Sequence, residues 1–226
     1  MKIIAVIPAF NEENRIEAAL LALAPHVTEM VVVDDGSNDR TVEMARKTPA
    51  HVLRHFVNRG QGAALQTGMD YAVHVLGADI VVHFDADGQM NPEEIQEMIA
   101  PILSGESDIV LGSRFLGSTV RMPFMRRVIL KLGTWLTTVL SGIAVTDTHN
   151  GFRALSRKAT EEIHISLDRM AHASEIIDLI MAKKLRYIEV PVTIRYTEES
   201  LRKGQGTLGA VTILKDFFKG RFFDGL

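Results

Sequence analysis

The run "ADIVVHFDADGQMNPEEIQEMIAPIL", residues 78–103, holds a strand, a turn and a helix in sequence. Residues 78–85 read as a strand covered on both faces, because their apolar side chains follow one another instead of alternating. Residues 92–103 read as a helix. Asn91 is placed to cap it, Pro92 sits in its first turn and Glu94 at the capping-box position. Ile95, Met98, Ile99, Ile102 and Leu103 make its apolar stripe, with Pro101 expected to kink the last turn. Between strand and helix stand Asp85 and Asp87. If the strand runs on through Asp87, its period of two puts both carboxylates on one face at the strand's end. Such charges repel, and burying them unpaired is costly, so a cation belongs beside them.

The same alternation extends outward. Residues 2–7, 29–34, 51–56 and 107–112 read as further strands, with amphipathic helices over 13–24, 38–47 and 62–76. Connections this short predict a doubly wound α/β sheet, mostly parallel, whose ligands sit beyond the carboxyl ends of the strands. After residue 115 the rhythm changes. A long helix is expected over 122–143, with Val128, Ile129, Leu132, Trp135, Leu136, Val139, Leu140 and Ile143 on one face and Arg126, Arg127 and Lys131 near its start. Helices near 156–164 and 173–184, a strand at 187–196 and a helix at 207–219 complete the pattern. No repeat or linker divides the 226 residues, so one domain is expected.

Bulk composition narrows the classes. With 46% hydrophobic and 23% charged residues the chain has ample core, and a net charge of −3 gives no basic field for nucleic acid. The absence of cysteine fits a reducing compartment. The opening "MKIIAVIPAFNEEN" has too short an apolar run for a signal peptide. The most apolar later window, 128–145, contains Lys131 and is a poor membrane span.

Chemistry gathers where strands end. "PAFNEEN", "DDGSNDRT", "NRGQGAA", "DADGQ" and "GSRF" each follow a strand, so all five converge on one rim. Adjacent Asp34 and Asp35 face opposite sides, and one of them is placed to accept hydrogen bonds from a base or ribose; Ser37 or Asp39 suits a helix cap. Gly60 and Gly62 let the backbone approach a phosphate at a helix N-terminus, but Leu65 stands where a dinucleotide fingerprint needs its third glycine. Asp85 and Asp87 are hard oxygen ligands suited to Mg²⁺ or Mn²⁺ on phosphates, and Gln89 can add a carbonyl or a water contact. Gln89 also takes the place of the Thr or Val of an aspartyl-nucleophile phosphatase. His83 reads as a satisfied core histidine, while His51 and His55 lie in a strand and make no helical metal pair.

Together with "DTHNGFR" (147–153), these signatures resemble family 2 glycosyltransferases of the GT-A fold, in particular the branch similar to dolichyl-phosphate mannosyltransferase and bacterial polyprenyl-phosphate glycosyltransferases. The resemblance covers about residues 3 to 215, and it makes 1–115 the nucleotide-sugar half and 116–226 the acceptor half with C-terminal amphipathic helices. It implies an inverting transfer of a hexose from a UDP-, GDP- or dTDP-sugar, with a divalent cation. Pro8, Ala9, Asn11, Glu13 and Asp35 would contact the nucleoside. Asp85, Asp87 and Gln89 would hold the metal on the diphosphate. Arg114 and Arg126, with Arg127 as its rival, match positions that hold a lipid phosphate; Asp147 and Glu175 match acidic positions and become general-base candidates if the acceptor is a hydroxyl. Lys203, with Arg202 as alternative, falls where relatives carry a basic loop over the diphosphate, although "LRKGQG" departs from the usual form. A polyprenyl phosphate acceptor is the first expectation; a carbohydrate hydroxyl, or a non-catalytic nucleotide-sugar-binding subunit, are the rivals. Residues 122–143 and the C-terminal "KDFFKGRFFDGL" face two fates, packing on the core or a second subunit, or lying on a cytoplasmic membrane surface.

Overall fold

A computed structural model describes residues 1–167 and 172–196. Seven strands form one sheet in the order β3-β2-β1-β4-β6-β5-β7. The first half supplies β1 (Ile3–Ala9), β2 (Glu29–Asp34), β3 (His51–Arg54), β4 (Ile80–His83) and β5 (Ile109–Val120). The second half adds β6 (Arg153–Ser156) and β7 (Tyr187–Arg195). All pairings are parallel except those of β6, which runs antiparallel to both β4 and β5. The order turns back between β1 and β4, and a crevice at such a switch point is where an open α/β sheet takes its ligand.

Both faces are covered, which is why the strands read as unbroken Val/Ile runs. On one face α1 (Ile16–Leu23), α2 (Thr41–Ala45) and α4 (Ile95–Leu103) bury Leu20, Met44 and Met98 against Ile7, Val32 and Val82. On the other, α3 (Gln61–His74), α6 (Arg157–Glu162) and α7 (His172–Ala182) set Leu65, Met69, Ala159 and Ile177 on Val6, Val33, Val81 and Leu155. The remaining helix, α5 (Phe124–Ser141), follows β5.

Three features depart from what the residues led one to expect. The strand carrying Asp85 stops at His83. Phe84 N donates the last bond to Val6 O, and Met90 then bridges Ile194, drawing the chain away toward β7; Asp85 and Asp87 sit on a loop, not a strand face. Glu94 does not close a capping box. Asn91 accepts from Glu93 N, while the Glu94 carboxylate takes Thr193 N of β7. β6 has no counterpart in the sequence reading, because four residues, "RALS", carry no period. Of the apolar positions on α5, whose covering was left open between core and surface, Phe124, Leu132 and Trp135 are 76%, 57% and 62% exposed.

Candidate active site

The loops after β1, β2 and β3 knit into a shelf. Asn11, in the left-handed region at φ 55°, donates its N–H to Ser37 Oγ at 2.9 Å and accepts from Asn38 N at 3.0 Å. The Glu13 carboxylate accepts from Arg40 N at 3.1 Å. Asp35 is buried and clamps the third loop, accepting from Arg59 N at 2.9 Å, Gly60 N at 2.6 Å and His55 Nδ1 at 2.8 Å. Asp34 takes Arg54 on one oxygen, and among the described residues its buried Oδ1 has no partner. Gly36 joins loops two and three: its φ is +76°, and a Cβ there would lie 2.9 Å from Asn58 N. Gly36→Ala is expected to cost about 1–2 kcal/mol for the left-handed backbone plus the clash, read as a lower denaturant midpoint at unchanged slope.

Beside the shelf lies the carboxylate pair. Gln61 Nε2, at the start of α3, donates to Asp85 Oδ1 at 3.0 Å. Asp87 accepts from Gln89 N at 3.0 Å and from the Gln89 side-chain amide. Gly151 backs directly onto the pair, since a Cβ there would fall 2.7 Å from Asp85 Oδ2. Burial first, then the Asp87 charge, push the Asp85 carboxyl up to about 7, against the pull of Arg153, Arg114 and Gln61. A buried carboxyl beside a like charge keeps its proton to higher pH than a free one does. Because the folded chain keeps a proton that the unfolded chain has released from 3.8 upward, metal-free stability should fall as pH rises from about 4 to about 7. Thermal melts across that window should show the slope, and Asp85→Asn should remove its share.

Arginines lie under the pair. Arg153 of β6 is buried in register with His83 of β4, and burial pulls its guanidinium down to about 10, which still leaves it charged. Among the described residues neither buried ring nitrogen of His83 has a hydrogen-bond partner, and burial, ahead of the Arg153 charge, holds its pKa well below the usual value. Arg114 sits where the β5–β7 register breaks between Ser113 and Ser118, a bulge that aims its side chain inward. Its Nε donates to Asp147 Oδ2 at 2.6 Å and its Nη1 to Tyr196 Oη at 2.7 Å. The Asp147 side chain is wholly buried. Glu189 of β7 fixes that loop, accepting from Thr146 N at 2.8 Å and from Asp147 N at 3.2 Å. The loop continues through His149, whose pKa burial lowers to about 4. Arg126 of α5 stacks on the Tyr196 ring at 4.8 Å from its centre, whereas Arg127 points to solvent.

The chain therefore carries a mostly parallel sheet, a carboxylate pair at its switch point and arginines behind that pair. The family model described as Glycosyl transferase family 2 matches residues 4–164. The chain belongs to glycosyl transferase family 2. It is 33% identical to the UDP-N-acetylglucosamine–dolichyl-phosphate N-acetylglucosaminyltransferase of Methanococcus voltae, over 90% of this chain and 89% of that one. It is 35% identical to the dolichol-phosphate mannosyltransferase of Pyrococcus furiosus, over 91% of this chain and 60% of that one. In fold it is similar to glucosyl-3-phosphoglycerate synthase of Mycobacterium tuberculosis, crystallised with Mn²⁺ and UDP, at a TM-score of 0.74 and 21% identity, over 96% of this chain and 79% of that one.

Within this glycosyltransferase the loops expected after the first four strands meet on one rim, and "DTHNGFR" joins them through Gly151 and Arg153; the fifth, "GSRF", is not a loop but lies inside β5, which runs on to Val120 instead of ending at residue 112. Glu175 stands apart: its carboxylate accepts from Ser166 N and Leu167 N, both at 2.9 Å, and no described bond ties it to the pair. Pro8 and Ala9 end β1, Gly60 precedes α3 at φ 100° and Gly62 is buried in its first turn. Lys203 and Arg202, and the expected helix 207–219, lie outside the described residues. Sequence reading passed over Gln61, Tyr196 and Glu189 and quoted Arg153 without a role. For Arg153 the signal existed, an arginine inside an apolar "GFRAL"; for Glu189 there was none.

Proposed function

We propose that this glycosyltransferase moves a hexose from a nucleotide sugar to a polyprenyl phosphate, in a single inverting displacement supported by Mg²⁺ or Mn²⁺. The observation that carries the reading is the Asp85–Asp87 pair at the switch point. Among the described residues no cluster of three or more His, Asp or Glu stands ready to hold an ion alone. Two carboxylates fit a cation that takes its other ligands from substrate phosphates. When bound, that cation supplies charge stabilisation to the departing diphosphate. Asp85 and Asp87 would hold it, the Asp85 carboxyl giving up its proton to the incoming charge. Gln61 and Gly151 fix how Asp85 is presented, and the shelf of Asn11, Glu13 and Asp35 faces the nucleoside. Gly151→Ala is expected to crowd Asp85 Oδ2 and weaken Mn²⁺ binding by about tenfold, with the melting temperature little changed.

The acceptor follows from what the acids are doing. A hydroxyl needs a general base, yet Asp147 is spent on Arg114 and Glu175 on two backbone amides. A phosphate monoester, with second pKa about 6, arrives already anionic. It needs cations, and Arg126 above Tyr196, next to Arg114, offers them. The relatives named for dolichyl phosphate support the same acceptor. Arg126→Ala should raise KM for the lipid phosphate about 10–100-fold, the worth of a charge-assisted bond, and Arg127→Ala should do much less. The deciding assay offers UDP-, GDP- and dTDP-hexoses with Mn²⁺ to undecaprenyl or dolichyl phosphate and, separately, to free oligosaccharides. Product only on the lipid supports the reading; product only on the sugar hydroxyl overturns it.

A further inference from the structure

Among the described residues Arg153 is the largest of the fully buried side chains, and its charge has no direct partner. Its Nη2 donates to Thr148 O at a long 3.4 Å, and its buried Nη1 has no hydrogen-bond partner among the described residues. Asp147 is committed to Arg114, and the described ion pairs include neither Arg153 nor Asp85 nor Asp87. Burying a guanidinium on such terms is costly, and its hydrogen bonding does not offset that cost.

Its place in the fold gives the reason. Arg153 opens β6 in register with His83 of β4, two residues before Asp85. Gly151, two residues before Arg153, backs onto Asp85 Oδ2. Two short connections therefore hold guanidinium and carboxylate close without letting them pair. Against burial and the Asp87 charge, Arg153 is the strongest of the groups that draw the Asp85 carboxyl down, ahead of Arg114 and Gln61. The histidines around it add no charge at neutral pH. Burial, then Arg153 itself, keeps His83 far below its usual range, and burial lowers His149 to about 4.

A charge count follows. With Arg114 and Asp147 cancelling, one guanidinium is set against two carboxylates. A bare divalent ion overshoots that balance and leaves excess positive charge where little water can screen it. A diphosphate arriving with the ion brings several negative charges and reverses the excess. We infer that Arg153 makes cation entry conditional on the nucleotide, repelling a bare divalent ion and attracting the ion–diphosphate complex. The inference rests on the reading of Asp85 and Asp87 given above, and adds to it a residue that acts through its charge and not by ligation.

Mn²⁺ serves as its own probe, because the free hydrated ion gives an electron paramagnetic resonance signal that the bound ion loses. The full chain is titrated at about pH 8 without nucleotide and with saturating UDP, GDP or dTDP, each against a protein-free mixture. The unaltered chain should bind Mn²⁺ weakly alone and much more tightly with nucleotide. Arg153→Met should bind the bare ion about tenfold more tightly and lose about tenfold of the nucleotide's enhancement. Arg153→Lys, which keeps the charge, should retain the enhancement. Arg153→Gln, neutral and still able to reach Thr148 O, repeats the comparison should the Met variant melt early. An enhancement unchanged in both neutral variants overturns the inference, and so does one lost equally in Arg153→Lys, which would make Arg153 a packing residue. Failure of the unaltered chain to bind Mn²⁺ with any of the nucleotides sinks the carboxylate-pair reading itself, whereas binding indifferent to residue 153 sinks this inference alone.

Discussion

Joint replacement of Asp85 and Asp87 by asparagine is expected to lower sugar transfer about a thousandfold or more while the protein stays folded. A cation placed where diphosphate charge develops is worth several kcal/mol, and roughly 4 kcal/mol corresponds to that factor. Folding should not suffer. The two carboxylates raise one another's cost, so their removal relieves repulsion and should leave the melting temperature at pH 7 equal or higher. This pairing of outcomes is informative: a structural role for the loop would lower stability and activity together. Transfer at the original rate would remove the pair from the chemistry.

The second large effect is on stability. Arg114 and Asp147 form an ion pair with side chains 7% and 0% exposed. Asp147→Asn leaves a buried guanidinium without its paired charge, at a cost of about 3–5 kcal/mol. For a chain of this length that lowers the melting temperature by roughly 10 °C. Replacing both partners, Arg114→Met with Asp147→Leu, should cost clearly less than the two single changes summed, because neither charge is then left alone. If Asp147 were instead a general base, the single variant would lose kcat and keep its stability. Calorimetry on the three variants beside transfer assays separates these cases.

Much of this architecture was legible in the residues. The Val/Ile runs of β1, β2 and β4 declare covered strands, and the polar segments after them declare one rim, because strand direction alone fixes where they meet. What escaped shares a physical cause. β6 is four residues long, and its Arg153 sits where a strand pattern expects an apolar side chain, so periodicity could not report it. Asp85 and Asp87 fall on a loop because Met90 pairs with Ile194, a contact between residues far apart in sequence. The stripe on α5 looks the same in sequence whether it faces a core or a surface; only the packing of Thr134 and Gly133 onto residues 148 and 149 decides which side is inward. Asp35 likewise reads as a ligand group, yet its hydrogen bonds hold Arg59 and Gly60, which makes it the builder of the shelf as well.

The most direct test of the claim that Asp85 and Asp87 hold a cation against the donor's diphosphate is a calorimetric titration of Mn²⁺ into the full chain, with and without a saturating nucleoside diphosphate. Binding should be weak alone and much tighter with the nucleotide, should release a proton below about pH 7, and should vanish in the Asp85→Asn, Asp87→Asn variant. Equal Mn²⁺ affinity in that variant, with nucleotide present, would contradict the account.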